Sequence, residues 1–192
     1  MSSDMAAFFD RIAPEWDNTP DKYQTREELT SMMELPPKSV IADIGCGRGV
    51  MFEHLLKTDP EKIIAVDVSG EMIRLAKEQW HDERIEYVNG DLLDVSLPML
   101  DAAIFFNAYP HFLDKEGLAA KLAKGIKKGG AMIIAHSLSR AEVNGVHSGE
   151  KVSKLSVALE SAEDEARKFE QFFSTEALVD NDKVFLVKML RR

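Results

Sequence analysis

The chain has 192 residues and a formal net charge of −9, from 33 Asp and Glu against 24 Lys and Arg. That length suits one domain with a sizeable core, and the acidic balance argues against a nucleic-acid partner, which calls for a basic face. No apolar run nears the ~20 residues of a membrane span, and the single cysteine, Cys46, excludes an intrachain disulfide and a cysteine-built metal site.

The N-terminus shows no basic-then-apolar leader pattern, so a cytoplasmic location is expected. Residues 4–16 read as a short amphipathic helix closed by Pro14, and a second helix over about 21–34 ends before Pro36-Pro37. A strand at 39–44 follows, its β-branched run carrying Asp43 and breaking into Gly45-Cys46-Gly47-Arg48-Gly49. Helix 49–57, strand 62–67, helix 70–80 and strand 84–88 come next. Ser69 is placed to cap the helix at 70, with Glu71 in its first turn. Strand 101–106, helix 115–125 and strand 131–137 complete an alternation that predicts a parallel sheet with helices on both faces. Beyond it, Val152, Leu155, Leu159, Ala162, Ala166, Phe169 and Phe173 step at helical spacing, with a break favoured at Ser161. Strand signals return at 175–179 and 183–190 around Asp180-Asn181-Asp182.

The glycine spacing discriminates between ligands. The dinucleotide fingerprint is G-x-G-x-x-G, with a pyrophosphate held at the helix N-terminus. Here the third glycine comes one residue early and position 50 is Val. The second strand ends in Asp67, 24 residues after Asp43, where a carboxylate in an adjacent parallel strand can accept both hydroxyls of a ribose. Asn89-Gly90-Asp91-Leu92-Leu93 follows the third strand.

This ordered set resembles the class I S-adenosylmethionine (SAM) methyltransferases, with Asp43 through Gly49 as their first motif. Phe8-Phe9-Asp10-Arg11-Ile12-Ala13-Pro14-Glu15-Trp16-Asp17 is similar to the opening of the ubiquinone/menaquinone-biosynthesis type, the group of methyltransferase domains 11 and 25, where Tyr is common in place of Trp16. The resemblance implies an α/β Rossmann-like, doubly wound sheet of seven strands in the order 3-2-1-4-5-7-6, the last antiparallel. It also implies one domain, 1–192, with lid helices at 1–37 and a cofactor-binding core at 38–137. An acceptor-side loop and helix would occupy 138–160, and a closing helix and hairpin 161–192. The implied cofactor is SAM, leaving as S-adenosylhomocysteine (SAH). Asp43 with the backbone of Gly45, Cys46, Gly47 and Gly49 would flank its methionine part. Asp67 and Val68 would meet the ribose, Met72 the adenine face, and Gly90, Asp91 and Leu92 the adenine edge. Asn107 would offer its carbonyl to the methionine amino group.

The acceptor side is less constrained. His111 and Tyr109, in the loop after the fourth strand, are candidates for a general base. His136 opens a polar stretch after the fifth strand in which Arg140, Asn144 and His147 could contact an acceptor, Arg140 by clamping a carboxylate. Trp16 would wall the same space. His136 and His147 could instead hold a metal, with His111 as a candidate addition, but spacing does not make a third ligand readable, so no metal is expected. Plainer readings stand beside these: an inert buried Cys46, N-terminal aromatics that are only core, and a solvated loop at 137–148. The function expected is methyl transfer to O, N or C of a small molecule by a monomer or homodimer. The alternatives are a SAM-binding module without turnover, another SAM-fold transferase, and a nicotinamide dehydrogenase, which the early glycine disfavours.

Overall fold

Strands that are apolar on both faces can be satisfied only inside a sheet covered on both sides, and the computed structural model, which describes residues 3–16, 22–146 and 154–192, shows this arrangement. The strands are β1 (Val40–Ile44), β2 (Lys62–Asp67), β3 (Ile85–Asn89), β4 (Leu100–Phe106), β5 (Ile126–His136), β6 (Phe173–Asp180) and β7 (Phe185–Arg191). They form one sheet in the order β3-β2-β1-β4-β5-β7-β6. Pairing is parallel from β3 to β5, while β7 runs antiparallel to both β5 and β6. The expected topology is the observed one.

Alternation along each strand divides the interior in two. Ala42, Ile44, Ile64, Val66, Phe105 and Ile134 face one core, shared with Phe169, Phe173 and Phe185. Ile41, Ile63, Ala65, Ile104 and Ile133 face the other, with Leu29, Met33 and Phe52. The helices are α1 (Ser3–Ile12), α2 (Tyr23–Met33), α3 (Phe52–Lys57), α4 (Gly70–Gln79), α5 (Lys115–Gly125), α6 (Arg140–Val146) and α7 (Ala162–Arg167). β1 lies between β2 and β4, so the strand order reverses there and leaves a crevice at the strands' carboxyl ends.

Most expected boundaries shift by one or two residues, and the larger differences have physical causes. Helix α1 stops at Ile12 and passes into a 3-10 turn over Ala13–Glu15 containing Pro14. Helix α3 begins at Phe52 and not at 49, because Gly45, Gly47 and Gly49 all take positive φ, outside helical geometry. Strand β5 starts at Ile126, five residues early, with a register shift opposite Leu100/Ala102. Residues 154–160 are not helical, and the break at Ser161 is real: its hydroxyl accepts the Asp164 N–H at 3.1 Å and caps α7.

Candidate cofactor and acceptor site

The β1–α3 turn is fixed from β2. The N–H groups of Gly45 and Cys46 donate to the Val66 carbonyl at 2.8 and 3.1 Å. The three glycines then serve different ends. A Cβ on Gly45 would stand 2.6 Å from the Ala108 Cβ, and one on Gly49 would run into the Phe52 ring. A Cβ on Gly47 would meet nothing nearer than Trp16 Nε1 at 3.8 Å and Met72 Sδ at 3.9 Å. The outer glycines permit close packing, and the middle one keeps space open.

That space is a cavity of about 570 Å³ at the strand-order reversal. Gly45, Gly47, Asp67, Val68, Met72, Gly90, Leu92 and Asn107, all expected there, line it, with Ile44 and Val66 beneath. Asp67 organises its wall: one carboxylate oxygen accepts the Gly47 N–H at 2.8 Å and the other the Ser69 N–H at 2.8 Å. Burial raises its pKa against the pull of those hydrogen bonds. Its carbonyl takes the Gly90 N–H at 2.9 Å and Asn89 Nδ2 at 3.0 Å, so Asn89, given no role in the sequence, ties the end of β3 to the end of β2. Asp91 stands beside the cavity wall and is occupied in its own turn, Oδ1 accepting the Leu93 N–H at 2.9 Å.

Asp43 is buried, and among the described residues its Oδ2 has no hydrogen-bond partner. Burial, and then the charge of Asp67, push its pKa up to about 7. Cys46 is also buried, and burial pushes its thiol well above the usual range, so it is the inert small side chain of the plainer reading. Asn107 takes φ +53°, a conformation asparagine tolerates better than most residues. Its Oδ1 accepts the Ser137 N–H at 3.0 Å and its Nδ2 donates to Ser137 Oγ at 3.1 Å. The side chain is therefore anchored to Ser137 by one donated and one accepted hydrogen bond, and Asn107 is among the residues lining the cavity.

The rest of the lining is largely aromatic: Phe9, Trp16, Phe112 and His111 with Ala108, Trp16 reaching over Gly47. Phe9 packs edge-on to His111 at 5.0 Å and to Trp16 at 5.7 Å. His111 Nδ1 lies 2.9 Å from the Leu155 carbonyl. A carbonyl only accepts, so Nδ1 carries the proton and, in the neutral ring, Nε2 the lone pair. Helix α1 is fastened over this lining by Asp10, whose Oδ1 accepts the Ser69 hydroxyl at 2.6 Å and the Glu71 N–H at 3.0 Å. In the sequence Phe9 and Asp10 appeared only within the N-terminal pattern and Phe112 carried no role; the contact of Asp10 with Ser69 spans 59 residues.

Several acceptor-side expectations are corrected. Tyr109 points into the core, its hydroxyl donating to buried Glu165 at 2.6 Å, and its pKa is raised by burial, so it is no base for the cavity. His136 is a buried residue packed edge-on to Phe185 at 6.0 Å and does not line the cavity. Arg140 pairs with Asp180 at 2.9 Å on the closing hairpin, too far engaged to clamp an acceptor. The Asn144 amide holds Leu159 at both its N–H (2.7 Å) and its carbonyl (3.0 Å). His147 lies outside the described residues. Among the described residues no group of His, Cys, Asp or Glu could hold a metal ion.

The fold, the glycine cradle and the acid at the end of β2 define a class I SAM-binding α/β protein. Residues 41–130, just under half of the chain, match the family profile of a methyltransferase domain, so in this segment the chain is similar to the SAM-dependent methyltransferases, whose cofactor is SAM. It is 30% identical over 108 residues to a malonyl-[acyl-carrier protein] O-methyltransferase of Acetivibrio thermocellus, covering 54% of this chain and 38% of that protein. The chain thus spans well under half the length of the first curated relatives it matches. Other matching proteins are named as methyltransferases of 2-methyl-6-phytyl-1,4-hydroquinone, trans-aconitate, ribosomal protein L11 and ribosomal RNA. Among solved structures, a SAM-dependent methyltransferase from Aquifex aeolicus superposes with TM-score 0.77 at 16% identity, over 95% of this chain and 98% of that one. The N-methyltransferase NodS of Bradyrhizobium japonicum, in complex with SAH, does so with TM-score 0.74 at 16% identity, over 98% and 99%.

The residues present fit SAM. Buried Asp43 Oδ2 lacks a partner, as a carboxylate awaiting an ammonium group would. The open side of Gly47 leaves the room an uncharged sugar and thioether need, with no lysine in the cradle for a phosphate.

Proposed function

We propose that the chain transfers the methyl group of SAM to a small, largely apolar acceptor bearing one ionisable O–H or N–H. The observation that carries this reading is the continuity of the cavity: it runs from Gly47 and Asp67 directly to Phe9, Trp16 and Phe112, with His111 as the ionisable side chain of that aromatic lining. Net charge −9 favours a small molecule over RNA, and the setting we infer is cytoplasmic. No helix of the described residues is long and apolar enough to cross a membrane.

SAM supplies an activated methyl on a sulfonium, so the protein's task is to align, dehydrate and hold a proton. In this reading Asp67 would accept from the ribose, Met72 would meet the adenine face and Leu92 its edge, and Asp43 with the Asn107 carbonyl would take the amino group. The aromatic lining excludes water and positions the acceptor, a contribution worth up to ~7–11 kcal/mol of a bimolecular barrier. His111 Nε2 accepts the proton that the acceptor loses. His111→Gln is expected to lower turnover ~10²-fold or more while leaving SAH affinity within about twofold. Methyl-labelled SAM offered with metabolite extracts would identify the acceptor on which this is measured. Absence of any labelled product would favour a SAM-binding module without turnover.

Ligand binding separates the cofactor classes without an acceptor. SAM or SAH at 100 times its Kd should stabilise by ~2.7 kcal/mol, roughly 5–10 °C in melting temperature for a chain of this size, and NAD and NADP should do nothing. A shift with NAD alone would overturn the assignment.

Asp43 predicts a pH signature. Burial holds its folded pKa at about 7, above the ordinary carboxylate value of 3.8. Between those values the folded state therefore binds the extra proton. Stability from this group is full below about 4 and is lost as pH rises through about 7, by on the order of 4 kcal/mol. Asp43→Asn should remove that slope and make the ligand-free protein more stable than wild type at pH 8, read by denaturant unfolding at pH 5 and 8. With an ammonium group beside it Asp43 ionises, so wild-type SAH affinity should rise with pH toward 7, with proton release in calorimetry. A flat wild-type-minus-variant difference would remove Asp43 from both roles.

A further inference from the structure

Behind the acceptor loop lies a buried polar network that the reading above does not use. Tyr109 opens the 3-10 turn Tyr109–His111, and its hydroxyl donates to Glu165 Oε2 at 2.6 Å. Glu165 is fully buried. Its Oε1 accepts the Glu160 N–H at 2.9 Å, and Lys168 Nζ sits 3.0 Å from its Oε2 and 3.2 Å from Glu160 Oε2. On the other flank Lys115 Nζ lies 3.3 Å from the centre of the Tyr109 ring and donates to the Tyr109 carbonyl at 3.0 Å.

Two segments meet through this one carboxylate. The 109–111 turn bears the His111 ring, and the strap at 154–160 bears the Leu155 carbonyl that takes its Nδ1 proton. The strap is otherwise joined to the turn by Val157 N–H on the Pro110 carbonyl at 2.9 Å, and is held from α6 by Asn144 on Leu159. The two oxygens of Glu165 reach one to each segment. A buried ionic group is costly to desolvate and is often replaceable by apolar packing without loss of stability. A geometric role accounts for its presence here, at the joint between donor and acceptor of the His111 hydrogen bond.

We propose that Glu165, with Tyr109 and Lys168, is a positioning residue: it keeps the acceptor turn and the strap in register, so that His111 holds its proton on Nδ1 and presents Nε2 to the cavity. This rests on His111 acting as the acceptor-side base. Burial, which pushes Lys115 down to about 7, agrees with a dry, close-packed joint. Without the register, the Leu155 carbonyl no longer specifies the tautomer, and a neutral imidazole free of it populates both.

The test needs no acceptor. Imidazole nitrogen NMR of the SAH-loaded protein, at a pH where the rings are neutral and with His111 assigned through His111→Gln, should show a single Nδ1–H tautomer in wild type. Tyr109→Phe keeps the ring and deletes one hydrogen bond; Glu165→Gln keeps the shape and turns one acceptor into a donor. Both should give His111 a mixed tautomer population with SAH affinity still within about twofold of wild type. A single Nδ1–H tautomer retained in both variants would overturn the proposal. So would a tenfold loss of SAH affinity in Tyr109→Phe, because the network would then support the whole site and not the histidine. The reading of His111 as base fails separately, through undiminished methyl transfer by His111→Gln.

Discussion

Gly47→Val is expected to give a folded protein that no longer binds SAH measurably, a loss of at least about 100-fold in Kd or ~2.7 kcal/mol. The backbone there sits at φ +54°, which costs an L side chain ~1–2 kcal/mol, tolerable in a domain of this size. A Cβ at that position would clash with nothing and would meet only Trp16 and Met72, both lining the cavity, at 3.8 and 3.9 Å, so the added methyls would occupy ligand space and not the core. Gly45→Ala should behave oppositely to first order. Its Cβ would lie 2.6 Å from the Ala108 Cβ, at φ +71°, so strain and overpacking should lower stability by ~2–4 kcal/mol before ligand is considered. Calorimetry with SAH and a denaturant melt on both variants separate the two. Binding by Gly47→Val within tenfold of wild type would mean that the cofactor does not pass this glycine.

Asp67→Ala should be the most damaging single truncation in the site. Seen in the sequence, this acid is only a ribose acceptor whose removal spares the fold. In the structure it also terminates the N–H groups of Gly47 and Ser69, at 2.8 Å each. Truncation leaves two donors unsatisfied at ~1–3 kcal/mol each and removes the charge-assisted bonds to the ligand, worth ~1.5–3 kcal/mol. The expected result is a lowered melting temperature together with a loss of SAH affinity near 100-fold. An unchanged melting temperature would show that the glycine turn holds its shape without Asp67.

The sheet and the cofactor half of the site were legible because their signals are local. β-branched runs buried on both faces, glycines at fixed offsets and acids at strand ends each declare themselves within a few residues. The acceptor half was not. Tyr109 was expected to face the cavity, but a phenol next to buried Glu165, 56 residues on, finds its partner in the core. Arg140 and Asn144 sit in a stretch rich in donors, yet those donors meet Asp180 and Leu159. Density of polar residues in the sequence says that hydrogen bonds will be made and nothing about with whom. His111 kept its place because a two-residue offset within a 3-10 turn places it opposite Tyr109, one facing the core and the other the cavity. Asp10 carried no local signal, since a carboxylate in an exposed helix is ordinary until the capped helix it meets, 59 residues later, is known.

That last contact has a kinetic side. Asp10 fastens α1 with two hydrogen bonds at the start of α4, a tie of the kind worth ~1 kcal/mol, against a global stability of ~5–15 kcal/mol. Detaching α1 would break this tie and expose buried Met5 while leaving the hydrogen bonds of the sheet intact. Phe9, one residue before Asp10, rests against His111. Under the function proposed above, an opening that frees one ligand would also dissolve the wall holding the other, giving spent cofactor and altered acceptor a shared door.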